Sequence, residues 1–290
     1  MVQRVLIDLF CGAGGFSEGA LRAGYDHVIA VDCWHEVLQV HAALHPTKVT
    51  VLEMELGKNM KTTYERIMRA VPQKFRNARF HCHASPPCQN ISLANNKRNL
   101  DDGLTLVRWS VRFIELYLRN FTWTLEQVYH PVVYDLLIRH TPHVNVVNMA
   151  DYGVPQARKR LFASNVDFFR FLRPSFTPID RVITVPKGTA YLGNGFCNPK
   201  KLEDPEIRHK NIKAYVRGST VAYTVTSNYF NFINNRYKRI RTMTCKERAL
   251  LQTFNANQVP VFERLSISLA NKLLGNSVPP HFAMQVMRIM

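Results

Sequence analysis

Apolar residues fall in short runs along the first half of the chain, and turn residues separate the runs. Residues 4–9, Arg-Val-Leu-Ile-Asp-Leu, predict a strand that ends at a glycine cluster. A helical stretch follows from Ser17 to Ala23. His27 to Val31 predicts a second strand, closed by Asp32. Residues 34–44 read as a helix, stopped by Pro46. Ala78 to Ala84 predicts a strand that runs into Ser-Pro-Pro-Cys. Residues 104–119 carry apolar side chains at helical spacing, and Phe121 to Leu125 is a run of aromatic and β-branched residues. Strands alternating with helices predict an α/β fold with a mostly parallel, doubly wound sheet.

The pattern changes after about residue 165. Prolines and glycines thicken and regular periodicity fades. A helix resumes from Thr244 to Phe254, where Thr244 and Glu247 stand at capping-box spacing. A last helix is expected over about 264–274, before Gly-Asn-Ser-Val-Pro-Pro. The expected domains are therefore 1–164 plus 241–290, and a small, irregular, basic second domain over 165–240.

Charge sharpens this division. Lys and Arg number 38 against 21 Asp and Glu, a formal net of +17. Between 165 and 240 the counts are 13 and 5, so nearly half of the excess lies in about a quarter of the chain. Aromatics interleave there, among them Tyr191, Tyr215, Tyr223, Tyr229 and Phe230. Such a balance points to a polyanionic partner, most simply nucleic acid, although a generically basic protein would share it. No run of about eighteen apolar residues predicts a membrane span. Six scattered cysteines without a Cys-x-x-Cys pair disfavour a zinc ribbon or disulfide framework. A reducing, cytoplasmic setting is expected, with no signal peptide. His81-Cys82-His83 alternates along a strand without a second ligand cluster, so ordinary strand residues are expected there and no metal.

Four motifs carry chemistry. The glycine loop from Asp8 to Gly19 lets a ligand approach the backbone at a helix start. Asp32 follows about 20 residues after the loop's first glycine, where a carboxylate can accept both hydroxyls of a ribose. Trp34 could stack on an adenine. A tight turn without a ligand is the alternative. In Ala84-Ser-Pro-Pro-Cys-Gln89 two prolines fix the backbone before Cys88, which suits a nucleophile as well as a buried thiol. Glu126, at the end of an apolar strand, is either capped by an amide or shares the Cys88 pocket. Arg158 and Arg160 alternate on an extended segment and point to one side, toward a phosphate, a base or water.

These motifs, in this order, resemble those of the DNA (cytosine-5)-methyltransferases almost end to end. The order is completed by residues 151–160, by Arg241 to Phe254, and by Gly275-Asn-Ser-Val-Pro-Pro280. The resemblance implies a Rossmann-like domain dependent on S-adenosylmethionine, with 165–240 as the target recognition domain. It assigns Cys88 as the thiolate that adds to cytosine C6, Glu126 to N3 and the exocyclic amine, Arg160 to O2, and Arg158 beside the thiol. It assigns Phe10, Gly12, Gly14, Asp32, Trp34, Pro86, Leu106, Asn276 and Val278 to S-adenosylmethionine. It also implies base flipping, a double-stranded DNA partner, and a monomer without metal. The loop Asn90 to Asn99, with Lys97 and Arg98, would face phosphates.

Two positions depart from the family pattern. Gln127 replaces the usual asparagine of Glu-Asn-Val, and Ile91 stands where an aromatic is common. An RNA (tRNA) cytosine-5 methyltransferase would share the fold, but the Cys-Phe-Thr tripeptide of that branch is missing. A non-catalytic DNA-binding relative would be expected to lose Cys88, Glu126 or the glycine loop. A nicotinamide dehydrogenase would leave Cys88 and Asn276 unexplained.

Overall fold

The computed structural model describes residues 2–92, 99–184, 189–192, 215–217, 220–226, 231–234 and 239–290. Contacts divide the chain into two compact units. The first holds Met1–Val147, Lys159–Leu172 and Ala283–Met290, and the second Asn148–Arg158 and Arg173–Phe282. Of the compositional segment 165–240, residues 173–240 therefore share a unit with residues 241–282, and 165–172 belong to the first unit.

The first unit is built by β1 (Arg4–Leu9), α1 (Gly15–Arg22), β2 (His27–Asp32), α2 (His35–Leu44), β3 (Val49–Glu53), α3 (Met60–Ala70), β4 (Arg79–Ala84), α4 (Leu100–Tyr117), β5 (Thr122–Gln127), α5 (Pro131–Leu137) and β6 (His143–Asn148). After β7 (Gln156–Ala157), β8 (Lys159–Ser164) completes a seven-stranded sheet in the order β3-β2-β1-β4-β5-β8-β6. The pairs from β3 to β5 are parallel, and β8 runs antiparallel to β5. Val5, Leu6, Ile7 and Leu9 are wholly buried, as are Val28 to Val31. Strands covered on both faces read as continuous apolar runs, which is why β1 and β2 stand out in the sequence.

Register fixes where the chemistry sits. Leu9 pairs with Val31 and Ala84, and Ala84 pairs with Leu125. The glycine loop, Asp32, the Pro-Pro-Cys loop and Glu126 therefore leave the sheet at one carboxyl edge. That edge is the ligand-binding side of open α/β sheets.

The second unit pairs β7 in parallel with β11 (Ala222–Tyr223). It also has a four-stranded antiparallel sheet of β9 (Thr189–Leu192), β10 (Tyr215–Arg217), β12 (Asn231–Asn234) and β13 (Arg239–Thr242), in the order β10-β9-β12-β13. Regular pairing thus reaches further into this basic segment than the fading periodicity predicts. Helices α6 (Cys245–Leu251), α7 (Val259–Glu263) and α8 (Ile267–Asn276) follow, and α9 (Pro280–Ile289) ends the chain. The Thr244/Glu247 capping box forms as its spacing predicts.

Candidate active site

The glycine loop is bent by positive φ angles at Phe10 (58°), Gly12 (52°) and Gly14 (78°). A left-handed conformation is strained for a residue with a side chain, by about 1–2 kcal/mol at Phe10. Phe10 packs edge-on to Trp109, whose indole N–H donates to the Lys58 carbonyl at 2.9 Å. Asp32 holds the loop from β2. One carboxylate oxygen accepts the Gly12 N–H at 3.0 Å, and the other accepts the Trp34 N–H at 3.1 Å. A Cβ on Gly12 would meet nothing within 4 Å, so the loop's outer side is open to a ligand. Leu106, on α4, lies against Gly57, where a Cβ would come within 2.6 Å of it. Phe10, Gly12, Gly14, Asp32, Trp34, Pro86 and Leu106 all belong to the first unit. Asn276 ends α8, exposed, and Val278 is buried, both in the second unit.

The Pro-Pro-Cys loop joins this edge through Ser85. Its N–H donates to the Leu9 carbonyl at 3.2 Å, and its hydroxyl to the Phe10 carbonyl at 3.3 Å. Cys88 is partly exposed, and its carbonyl accepts the N–H groups of Ile91 and Ser92. Ile91 is fully buried, and α4 makes room for it: a Cβ on Gly103 would lie 2.7 Å from Ile91 Cγ1. An aliphatic residue thus fills the place of the usual aromatic. Lys97 and Arg98 lie outside the described residues.

Glu126 and Arg160 meet. Arg160 Nε lies 3.0 Å from Glu126 Oε1, and both side chains are largely buried. Next to Glu126, the Gln127 amide donates to the Pro86 carbonyl at 3.0 Å, and its oxygen accepts the Val128 N–H at 2.8 Å. The longer glutamine stem therefore ties the end of β5 to the loop that carries Cys88.

Arg158 departs from the alternation rule. β7 ends at Ala157 and β8 begins at Lys159, so no continuous strand aligns Arg158 with Arg160. Arg158 is buried in the second unit, with its Nη atoms 3.0 Å from the carbonyls of Val225 and of Gly275. Other buried side chains reinforce that link. Gln156 accepts the Val225 N–H and donates to the Leu251 carbonyl and to Gln252. Gln252 donates to the Leu274 carbonyl, and Arg248 to those of Thr226 and Asn271. Residues 224–226 and the end of α8 are therefore clamped together, which single-residue reading of Arg158 missed.

His81 and His83 fill the sheet interior. The His81 ring nitrogens lie 2.8 and 3.0 Å from the hydroxyls of Thr122 and Thr124, and His83 Nδ1 lies 2.8 Å from Thr124. Among the described residues no group of His, Cys, Asp or Glu is placed to hold a metal ion, and no helix is long and apolar enough to cross a membrane. Asp8, cross-strand from His83, accepts the Ser17 hydroxyl at 2.6 Å, and burial pushes its carboxyl up to about 7.

A family model, C-5 cytosine-specific DNA methylase, matches residues 5–117 and 183–290. Among curated relatives, the Type II methylase M.HgiDII of Herpetosiphon aurantiacus is 24% identical, over 94% of this chain and 91% of its own. The Type II methyltransferase M.DdeI of Desulfomicrobium norvegicum is 28% identical over 61% of this chain, and the match spans 44% of that protein. Two solved structures share the fold: a substituted DNMT2 of Spodoptera frugiperda, 16% identical with a TM-score of 0.65 over 99% of both chains, and the Entamoeba histolytica methyltransferase EhMeth, 16% identical with a TM-score of 0.62 over 99% of this chain and 97% of its own. With most of its length matched by that model, and the glycine loop, Asp32, the Pro-Pro-Cys loop and Glu126 at one sheet edge, the chain belongs to the C-5 cytosine-specific DNA methylase family.

Proposed function

We propose that this protein methylates carbon 5 of cytosine in a short, specific double-stranded DNA sequence, through a covalent Cys88 adduct on a flipped-out base. The observation that carries the reading is the buried Glu126–Arg160 pair on the edge that also bears Cys88. A carboxyl and a guanidinium held 3.0 Å apart suit the N3, amine and O2 edge of cytosine. Relatives named as Type II methyltransferases support a role in restriction-modification.

Phe10, Gly12, Gly14, Asp32, Trp34, Pro86 and Leu106 would hold S-adenosylmethionine, and the family resemblance assigns Asn276 and Val278 to it as well. The open side of Gly12 and the fixed Asp32 carboxylate fit an adenosine, because each carboxylate oxygen keeps a lone pair for a ribose hydroxyl. Bound there, the cofactor supplies an electrophilic methyl group. The Cys88 thiolate forms a bond to C6 and pushes electrons toward C5. Glu126 holds the proton at N3, and Arg160 stabilises charge on O2. Once C5 carries that methyl, its proton passes to water, the C6–sulfur bond breaks, and the thiolate is restored. Stacked bases hide C6, so the cytosine must leave the duplex at a cost of a few kcal/mol.

Labelled S-adenosylmethionine should pass its methyl to duplex DNA and not to tRNA. A duplex with 5-fluorocytosine at the target should trap an adduct that survives denaturation, since fluorine cannot leave as the proton does. Persistence of that adduct in Cys88→Ser, or transfer to tRNA alone, would sink the proposal.

A further inference from the structure

The glycine loop has a second support that none of the motifs includes. Asp32 takes the N–H of Gly12, and the carbonyl of the same residue is met from α2. His41 Nδ1 lies 3.2 Å from the Gly12 oxygen, and His41 is completely buried. Its ring also lies over Gly14. A Cβ there would come within 2.8 Å of His41 Cε1 and 2.9 Å of Nε2. Both polar atoms of the Gly12 peptide are thus gripped, and the turn at Gly14 is closed by the imidazole.

Burial sets the chemistry of the ring. Desolvation, with His45 edge-on at 5.3 Å, holds His41 down at about 3, so it is neutral at physiological pH. A carbonyl can only accept, so the proton sits on Nδ1. Nε2 is buried without a hydrogen-bond partner among the described residues. A phenyl ring would fill this space without that polar cost. What imidazole adds is one donor aimed at Gly12. His45 closes the back of the assembly, its Nδ1 3.2 Å from Glu18, which also pairs with Arg22 at 2.6 Å.

We infer that His41 is a positioning residue for the cofactor: through its Nδ1–H and its ring it fixes the Gly12–Gly14 backbone in the shape that receives S-adenosylmethionine. This rests on the function proposed above. If the unaltered protein binds no S-adenosylmethionine in a calorimetric titration, that function fails first and separately.

His41→Phe keeps the bulk and removes the donor. Its dissociation constant for S-adenosylmethionine should rise about tenfold, the scale of one lost hydrogen bond. The KM for the cofactor should rise with it, while kcat at saturating cofactor falls less than threefold and DNA affinity without cofactor holds. His41→Asn, whose amide can take the place of Nδ1–H, should recover most of the affinity. A purely structural histidine would lower the thermal midpoint and leave the cofactor constant unchanged, and that result overturns the inference. Nitrogen NMR of the unaltered protein tests it without substitution. A proton on Nδ1 and resonances that move on adding S-adenosylmethionine are expected. A proton on Nε2, or resonances indifferent to the cofactor, would overturn it.

Discussion

Gln127 shows how one methylene can be absorbed. Its amide reaches the Pro86 carbonyl and its oxygen turns back to the Val128 N–H, so both ends are used. Gln127→Asn shortens the stem and cannot keep both bonds at these distances. A buried Pro86 carbonyl without its donor costs about 1–3 kcal/mol. Because that loop carries Cys88, kcat should fall about tenfold, more than the cofactor dissociation constant rises through Pro86. Single-turnover kinetics beside a calorimetric titration separates the two, and an unchanged kcat would show the Pro86 bond to be incidental. The residue scale was also the most legible in the sequence. Asp32, Pro86 and Glu126 stand at strand ends, and strand ends are visible in the apolar pattern. Their partners across 20 to 41 residues were not visible, since register decides them.

At the scale of elements, legibility followed burial. β1 and β2 are apolar runs, β4 and β5 are buried stretches that mix apolar, histidine and threonine residues, and the sequence pattern places all four within about two residues. β3 is half-exposed at the sheet edge, and α3 buries only Thr63 and Ile67, although Met60, Tyr64, Ile67 and Met68 stand at helical spacing along it. The same burial gives the sheet a pH signature. His81 is held down at about 3 by desolvation, and His83 is lowered well below its ordinary value by burial and by His81. Groups lowered in the fold stabilise it above their ordinary 6.5, and that stability is lost as pH falls from 6.5 toward 3. Asp8 acts in the opposite sense. Raised to about 7, it contributes stability below its ordinary 3.8 that is lost as pH rises through 7. With two such histidines on β4 against one aspartate, acid should destabilise the protein between pH 6.5 and 4. His81→Gln should remove about one proton from that dependence, roughly 1.4 kcal/mol per pH unit. Urea unfolding at several pH values measures it, and an unaltered slope would mean that His81 titrates alike folded and unfolded.

At the scale of the whole molecule, the charge excess and the buried clamp make different demands on the recognition segment. Lys and Arg over 165–240 should supply affinity through phosphates, with a steep salt dependence. Lys200→Ala and Lys201→Ala, both outside the described residues, should weaken binding to all sequences alike and each lower the salt slope by about 1. Base choice needs side chains held in register, worth about 1–3 kcal/mol per good bidentate pair. Thr224 and Val225 have that support: the Thr224 hydroxyl donates to the Ala157 carbonyl at 2.5 Å, and Val225 is bound at its N–H by Gln156 and at its carbonyl by Arg158. Yet Gln156, Arg158, Arg248 and Gln252 all lie outside 165–240. A boundary drawn from composition could not include them, because their bonds span 22 to 117 residues. Grafting 165–240 alone into a relative of known target should therefore give a weakly active chimera. Grafting it together with residues 156–158 and 248–252 should restore activity and bring this chain's target sequence, read by bisulfite sequencing of the expressing host's DNA. An active chimera of the second kind that still methylates the host enzyme's target would mean that the segment clamps DNA without choosing it.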